Sequence, residues 1–362
     1  MSLQTPPRTP PSEIPALAAM PLVNAPLPRW APLAAVAAGA ALAAALPFLF
    51  GDFSIVVFVL FTVIFGTAII TIASRMKEGG RKSLDRFVTC LVVSAFGLAM
   101  VPLVSLIIEV LGRGLRRLDA EFFSSSMVGI VGEGGGGYHA ILGTVIITLI
   151  TTAMSVPIGV MAAIHLVEYG RGRLAKAITF LVDVMTGIPS IVAGLFAYAL
   201  FALFLGPGVR LGIAGSVALA VLMIPVVVRS AEEILKLVPN ELREASYALG
   251  VPKWRTIVKI VLPTSAAGLA TGVTLAISRV IGETAPLLVT VGITNGTNLD
   301  PFDGRMATLP VYSFYSYTQP GIPPEFSVDR AWTAALVLIM LVMALNLIAR
   351  LISRRFAPKT GR

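Results

Sequence analysis

Long apolar runs, each of about eighteen residues or more, constrain this chain more than any other feature. They lie near 31–50, 54–74, 87–111, 139–166, 174–206, 211–229, 264–292 and 331–352, with short charged patches between them. A segment of that length spans the hydrocarbon of a bilayer as a helix. In lipid every backbone polar group must be satisfied within its own segment or a closed barrel. Barrel strands alternate every second residue, and these runs do not. The expected fold class is all-α: a polytopic transmembrane helical bundle of about eight spans.

Composition agrees. Only 13% of the 362 residues are charged and 56% are hydrophobic, against roughly 25% charged in a soluble domain. The formal net charge of +9 reads as basic loops on one side of a membrane. No basic stretch is interleaved with aromatics, which excludes the usual nucleic-acid modules. Cys90 is the only cysteine, so no internal disulfide forms. With only His139 and His165, no histidine–cysteine metal cluster is expected.

Residues 1–30 are rich in proline and alanine and read as a disordered tail. Residues 31–80 read as a transmembrane hairpin turning at Gly51-Asp52-Phe53, and 81–138 as a further span with an outer loop. Residues 139–355 form the main membrane body, which includes a polar loop at 229–259, and 356–362 are a second tail. Basic residues collect at 75–86, 167–176, 229–259 and the C-terminus. Eight spans put all four, and both termini, on the cytoplasmic side. The segment 293–330 falls outside and is acidic. Arg113, Arg116 and Arg117 dissent by landing outside. The run Gly132–Gly137 lacks the following Lys and Ser/Thr of a phosphate-cradling loop, so a flexible outer loop is expected.

The 229–259 loop carries its own structure. Leu242, Ala245 and Leu249 recur at helical spacing. Pro239 suits a helix start, and Gly250 suits the left-handed cap that ends one. Pro252 opens a second short helix bearing Trp254. Residues 245, 246 and 248 are small and permit close approach by a partner, whereas a plain amphipathic helix would rest on lipid headgroups.

In the seventh run Arg279 and Glu283 are four apart, so one helix would place them on one face. Arg279 lies about 24 Å of helix beyond Pro263, at the midplane or in the outer half. A charge there faces a partner or a watery path, or else snorkels to the interface. An arginine fork matches phosphate oxygens. Pro189 and Ser190 break the fifth run, either to free backbone N–H groups or as a packing kink, and Thr284 is a weaker polar candidate.

The pattern Glu244-Ala245-Ser246-x3-Gly250-x9-Ile260-x-Leu262-Pro263 resembles the EAA loop of ABC importer permeases, with Ser246 in place of the second alanine. Three segments are similar to the phosphate-specific importer. They are Gly143-Thr144 continuing to Pro157-x-Gly159-Val160-x-Ala162-Ala163 and Glu168-Tyr169, Gly187-Ile188-Pro189-Ser190-Ile191-Val192-x-Gly194-Leu195, and Arg279 to Leu288. The form Gly282-Glu283-Thr284-Ala285-Pro286-Leu287-Leu288 resembles its A-type permease family, PstA, over roughly residues 139–352.

The resemblance implies a type I ABC importer permease fold with an extra N-terminal hairpin, in a bacterial inner membrane. It implies ATPase coupling through Glu244, Ala245, Ser246 and Gly250. The substrate path it implies includes Arg279, Glu283, Thr284, Pro189 and Ser190. The partners implied are a PstC-type second permease, two copies of a PstB-type ATPase and a PstS-type external phosphate-binding protein. This chain would bind no cofactor, with ATP and Mg held by the ATPase, and would itself be no enzyme. Another oxyanion, sulfate or molybdate, and an ATPase-independent secondary transporter stand as alternatives.

Overall fold

The computed structural model describes residues 26–50, 55–170 and 172–356. The proline-rich tail up to residue 25, the turn at 51–54 and the C-terminal tail beyond Phe356 lie outside the described residues. Those described are helical or irregular, with no strand among them. Six helices are long and apolar enough to cross a membrane, or seven if a bent pair counts as one span; Ala31–Ala45 is a shorter apolar helix.

The chain forms two compact units, Met1–Leu106 and Ile107–Arg362. The first holds α1 (Ala31–Phe50), α2 (Ile55–Lys77) and most of α3 (Gly80–Gly114). Ala35, Gly39 and Ala43 form one buried stripe of α1, and Gly66, Ile70 and Ser74 one of α2. Both stripes repeat every four residues, the spacing of one helix face. A side chain at Gly39 would stand 2.6 Å from the Gly66 backbone nitrogen. Small residues let two helix backbones meet where lipid offers no hydrophobic drive.

Glu78 locks the turn into α3. Its carboxylate accepts from Arg86 at 2.7 and 2.9 Å, from the Ser74 hydroxyl at 2.7 Å and from the Leu27 amide at 2.7 Å. The Arg86 guanidinium, with these two further donors, pulls its pKa down to about 2.

The second unit is built around α5 (Tyr138–Ile164) and α8 (Gly212–Lys236). Their shared face carries Ile147, Leu219, Met223 and Val227. It also buries the Thr151 and Ser216 hydroxyls, which bond across to backbone carbonyls. Around them lie α4 (Ala120–Ser124), α6 (Arg173–Thr186), α7 (Ser190–Leu205), α9 (Asn240–Ala248), α10 (Lys253–Thr256) and α11 (Leu262–Val280). The short α12 (Ala285–Thr290), α13 (Leu309–Thr318) and the long α14 (Pro324–Phe356) complete the unit.

Five expectations change. The fifth run is not one helix: α6 and α7 meet at 108° across Gly187–Pro189, because proline removes a donor and clashes with the preceding turn. The sixth run, expected over 211–229, extends further. α8 continues to Lys236, since Glu232 pairs with Arg229 at 3.0 Å and Lys236 at 2.6 Å along its own face. The seventh run is not one helix to 292. It begins early, as a continuous helix from Lys253, and stops at Val280. A π-turn at Ile257–Val261 widens the ladder just before Pro263, which has no N–H to give.

The glycine run is not a flexible loop. Arg330 donates to the Gly132 and Gly134 carbonyls at 2.7 and 2.9 Å, and Arg117 to that of Gly135 at 2.8 Å. Gly135, Gly136 and Gly137 are buried, and a side chain at Gly136 would meet the Phe122 carbonyl at 2.6 Å. The dissenting outer arginines thus have structural partners, with Arg113 on Glu109 at 2.5 Å and Arg116 on Asp329 at 3.6 Å. Likewise 293–330 is not all outer loop, because Met306, Ala307, Leu309 and Val311 enter the core.

Candidate functional site

Local sequence builds the polar hairpin. Pro239 precedes α9 with φ −57° and ψ 138°, an extended entry that proline presets. At the far end Gly250 takes φ +75°. Its amide bonds to the Tyr247 carbonyl at 2.9 Å, and the Val251 amide to that of Ser246 at 3.2 Å. These two bonds are the Schellman closure, which favours glycine at the left-handed position. Pro252 then leads into α10.

Two basic side chains latch this hairpin to the end of α5, where a π-turn spans His165–Tyr169. Arg243 Nε donates to Glu168 Oε1 at 2.9 Å, while the guanidinium also donates to the Val238 and Leu235 carbonyls at 2.6 and 3.0 Å. The two side chains are only 11% and 4% exposed. Lys253 donates to the Glu168 carbonyl and lies 4.7 Å from the Tyr169 ring centre. Sequence spacing did not reveal this latch, since 75 residues separate its partners.

Of the residues singled out for coupling, Glu244, Ala245 and Gly250 are exposed. Ser246 is not. It is buried, with its hydroxyl 2.8 Å from that of Thr256, so it ties α9 to α10 rather than offering a contact face. Leu249 (83% exposed), Tyr247 and Trp254 are exposed apolar or aromatic side chains of this hairpin, and Ala245 and Ala248 are exposed as well.

The path residues are only partly brought together. Arg279 stands in the last turn of α11, whereas Glu283 and Thr284 follow the helix end, so the one-face arrangement does not form. The helix stops here because Gly282 is followed by Pro286, which tucks against α7. A side chain at Gly194 would stand 2.6 Å from Pro286 Cα. That contact sets the 282–286 segment beside the first turns of α7, whose start is Pro189-Ser190.

Arg279 is exposed, with no hydrogen bond or ion pair among the described residues. It lies twenty residues beyond Lys259 on one continuous helix, about 30 Å, which equals the hydrocarbon thickness. Near the opposite end of the bundle Asp183 on α6 pairs with Arg229 on α8, which also holds Glu232. No group of His, Cys, Asp and Glu able to hold a metal occurs among the described residues.

A family model described as binding-protein-dependent transport system inner membrane component matches residues 155–362. The phosphate transport system permease protein PstA of Mycobacterium leprae is 46% identical over 270 residues, 74% of this chain and 88% of the relative. That of Yersinia pestis is 36% identical over 286 residues, 79% and 94% respectively. The chain belongs to the PstA family.

In this PstA-family chain the inner-membrane match takes in the latched hairpin, α11 and the Gly282–Leu288 segment, and begins well after α3. A solved structure of the inward-facing MetNI methionine ABC transporter is similar at a TM-score of 0.48 and 20% identity, over 61% of this chain and 94% of that one. Family and helices together make this PstA-type chain a multi-pass membrane protein.

Proposed function

We propose that the chain is the transmembrane permease subunit of an ATP-driven importer of inorganic phosphate. The observation that carries the reading is the 46% identity to a phosphate transport system permease, joined to a hairpin built to be gripped. Its apolar tip is exposed while its base is held by Arg243, Glu168 and Lys253. A surface of that kind fits a protein partner: small and aromatic residues at the tip allow close approach, and the buried base resists being pulled away.

The partner proposed is a PstB-type ATPase in two copies, which would hold ATP and Mg. A PstC-type permease and a PstS-type external binding protein would complete the assembly. Motion of the hairpin has two rigid outlets. The Arg243–Glu168 pair leads into α5, and α10 continues through the π-turn into α11 as one helix from Lys253 to Val280. That helix, about 42 Å long, ends beside Arg279. A push on the hairpin would therefore reposition an unpaired guanidinium at the far side of the membrane. Arginine's planar fork suits a tetrahedral oxyanion.

The Pro189-Ser190 start of α7, one turn before the Gly194 that packs on Pro286, and the Glu283-Thr284 turn just ahead of Pro286 are proposed to shape the path. The basic segments at 75–86 and 229–259 orient both termini to the cytoplasm. On the outer side, Val131, Phe302 and Ile322 are exposed hydrophobics available to the binding protein.

Gly250→Pro tests the reading. Proline cannot adopt φ +75°, so the Schellman closure opens. Phosphate uptake in vesicles reconstituted with the partner subunits should fall to background while the chain still inserts. Uptake that persists in this variant, or that survives loss of ATP hydrolysis, defeats the proposal. Stronger inhibition of transport by sulfate or molybdate than by phosphate would reassign the cargo.

A further inference from the structure

We propose, resting on the phosphate-permease reading above, that Arg210 and Arg305 form an outer receiving site for inorganic phosphate, separate from the path segment 279–286. Both arginines stand against one glycine. Gly292 follows α12 in the left-handed region, at φ +71°, which glycine adopts without steric cost. A side chain built there would stand 2.9 Å from Arg210 Cδ, 3.0 Å from Arg210 Nη1 and 3.6 Å from Arg305 Cδ. The glycine thus leaves room for one guanidinium and lets the stem of a second come up beside it.

Three segments hold the pair in place. Arg210 leads into α8, where the Leu211 amide donates to the Thr290 carbonyl at 3.1 Å and the Ile213 amide to that of Pro301 at 2.8 Å. Asn298 Nδ2 donates to the Asp303 and Arg305 carbonyls at 2.7 and 3.0 Å, which fixes the loop carrying the second arginine. The start of α8, the end of α12 and this loop therefore form one frame.

Neither guanidinium has a hydrogen bond or ion pair among the described residues. Arg210 does not cap α12, because amides already take the carbonyls there: Leu211 takes that of Thr290, while Val291 and Gly292 take that of Leu287 at 3.0 and 3.2 Å. Two carboxylates share the loop. Asp300 accepts the Phe302 amide at 2.9 Å, and neither it nor Asp303 forms an ion pair among the described residues. Two like charges set against one residue repel. An oxyanion between them removes the repulsion and fills their planar forks.

Position favours free phosphate. α8 runs from Gly212 to Lys236 and on toward the hairpin, so Arg210 lies at the face opposite the hairpin. The six residues of α12, about 9 Å of helix, separate Gly292 from the Glu283-Thr284 turn. A lipid headgroup carries the same phosphate chemistry, and the test separates the two sources.

The test uses the full chain, purified in detergent, with radiolabelled inorganic phosphate in equilibrium dialysis at physiological salt. Saturable binding is expected. Arg210→Gln and Arg305→Gln should each weaken it roughly tenfold, since each removes charge-assisted bonds. Arg210→Lys should restore part of the loss, as it returns the charge without the fork. Arg116→Gln, whose arginine pairs with Asp329, should bind as the wild type does. Thermal unfolding should be unchanged in all four variants, as for surface substitutions.

Absence of phosphate binding overturns the proposal. Unchanged affinity in both glutamine variants does so as well, since the bound phosphate would then sit elsewhere. Displacement of phosphate by phosphatidylglycerol, but not by phosphatidylcholine, would assign the arginines to a lipid headgroup and overturn it too. Because the readout needs no partner subunit, failure here is distinct from failure of phosphate uptake by the assembled subunits.

Discussion

The α9–α10 hairpin and the glycine run before α5 are both surface connections held by buried or half-buried arginines, yet they end in opposite states. Arg243 grips a carboxylate at the base of the hairpin and leaves Leu249, Tyr247 and Trp254 in the open. Arg330 and Arg117 grip carbonyls along the glycine run itself and draw its last three residues into the interior. An arginine at the root makes a lever, because the tip stays free to bear on something else. An arginine along the length makes a fixed wall.

Breaking the lever at its root gives the largest expected effect. Glu168→Ala strands the Arg243 guanidinium among carbonyls in a buried setting, a loss of about 3–5 kcal/mol for one partner of such a pair. Thermal unfolding of the detergent-solubilised chain should report it, and phosphate uptake should fall with it. A variant as stable and active as the wild type would mean that Lys253 alone carries the attachment.

Releasing the wall comes next. Arg330→Ala removes two charge-assisted bonds to the glycine carbonyls and should cost about 2–3 kcal/mol. Hydrogen exchange at residues 132–137 should accelerate sharply while the α9 amides keep their protection. Equal acceleration at both sites would erase the distinction between lever and wall.

Arg279 supplies the contrast case, an arginine that grips nothing among the described residues. Arg279→Gln should leave stability within about 0.5 kcal/mol, as for a surface change, and leave partner subunits bound. Phosphate transport should nevertheless drop. Unchanged uptake would reduce Arg279 to an interfacial anchor.

The smallest effect concerns Glu78, the carboxylate counterpart of these clamps. Its pKa of about 2 lies below the ordinary value of 4.5. The ionised form is therefore favoured by folding, and its stabilising contribution is complete above about pH 4.5 and declines as pH falls toward 2. NMR of isotope-labelled glutamate carboxyls should show one site still ionised at about pH 3. Titration of every glutamate near the ordinary value would show that Arg86 does not hold it.

The hairpin was legible because its signals are local. Pro239, Gly250 and Pro252 each act through their own backbone geometry, and the expected start, left-handed cap and second helix all form. Apolar length likewise announced the helices of the bundle. The path was less legible. Four-residue spacing between Arg279 and Glu283 implies a shared face only if the helix continues, and it ends at Val280 where Pro286 packs on Gly194. Ser246 read as a small contact residue because the sequence does not reveal that Thr256 stands opposite.

By itself the sequence determined a membrane-spanning helical bundle and the shape of its polar hairpin, since both follow from burial in lipid and from dihedral preferences a few residues wide. Only the tertiary structure decided where the long runs bend, which arginines are spent as clamps and that Arg279 is left without a partner among the described residues. Those outcomes depend on partners 75 or 198 residues away, brought together by the packing of whole helices, and no local preference encodes them.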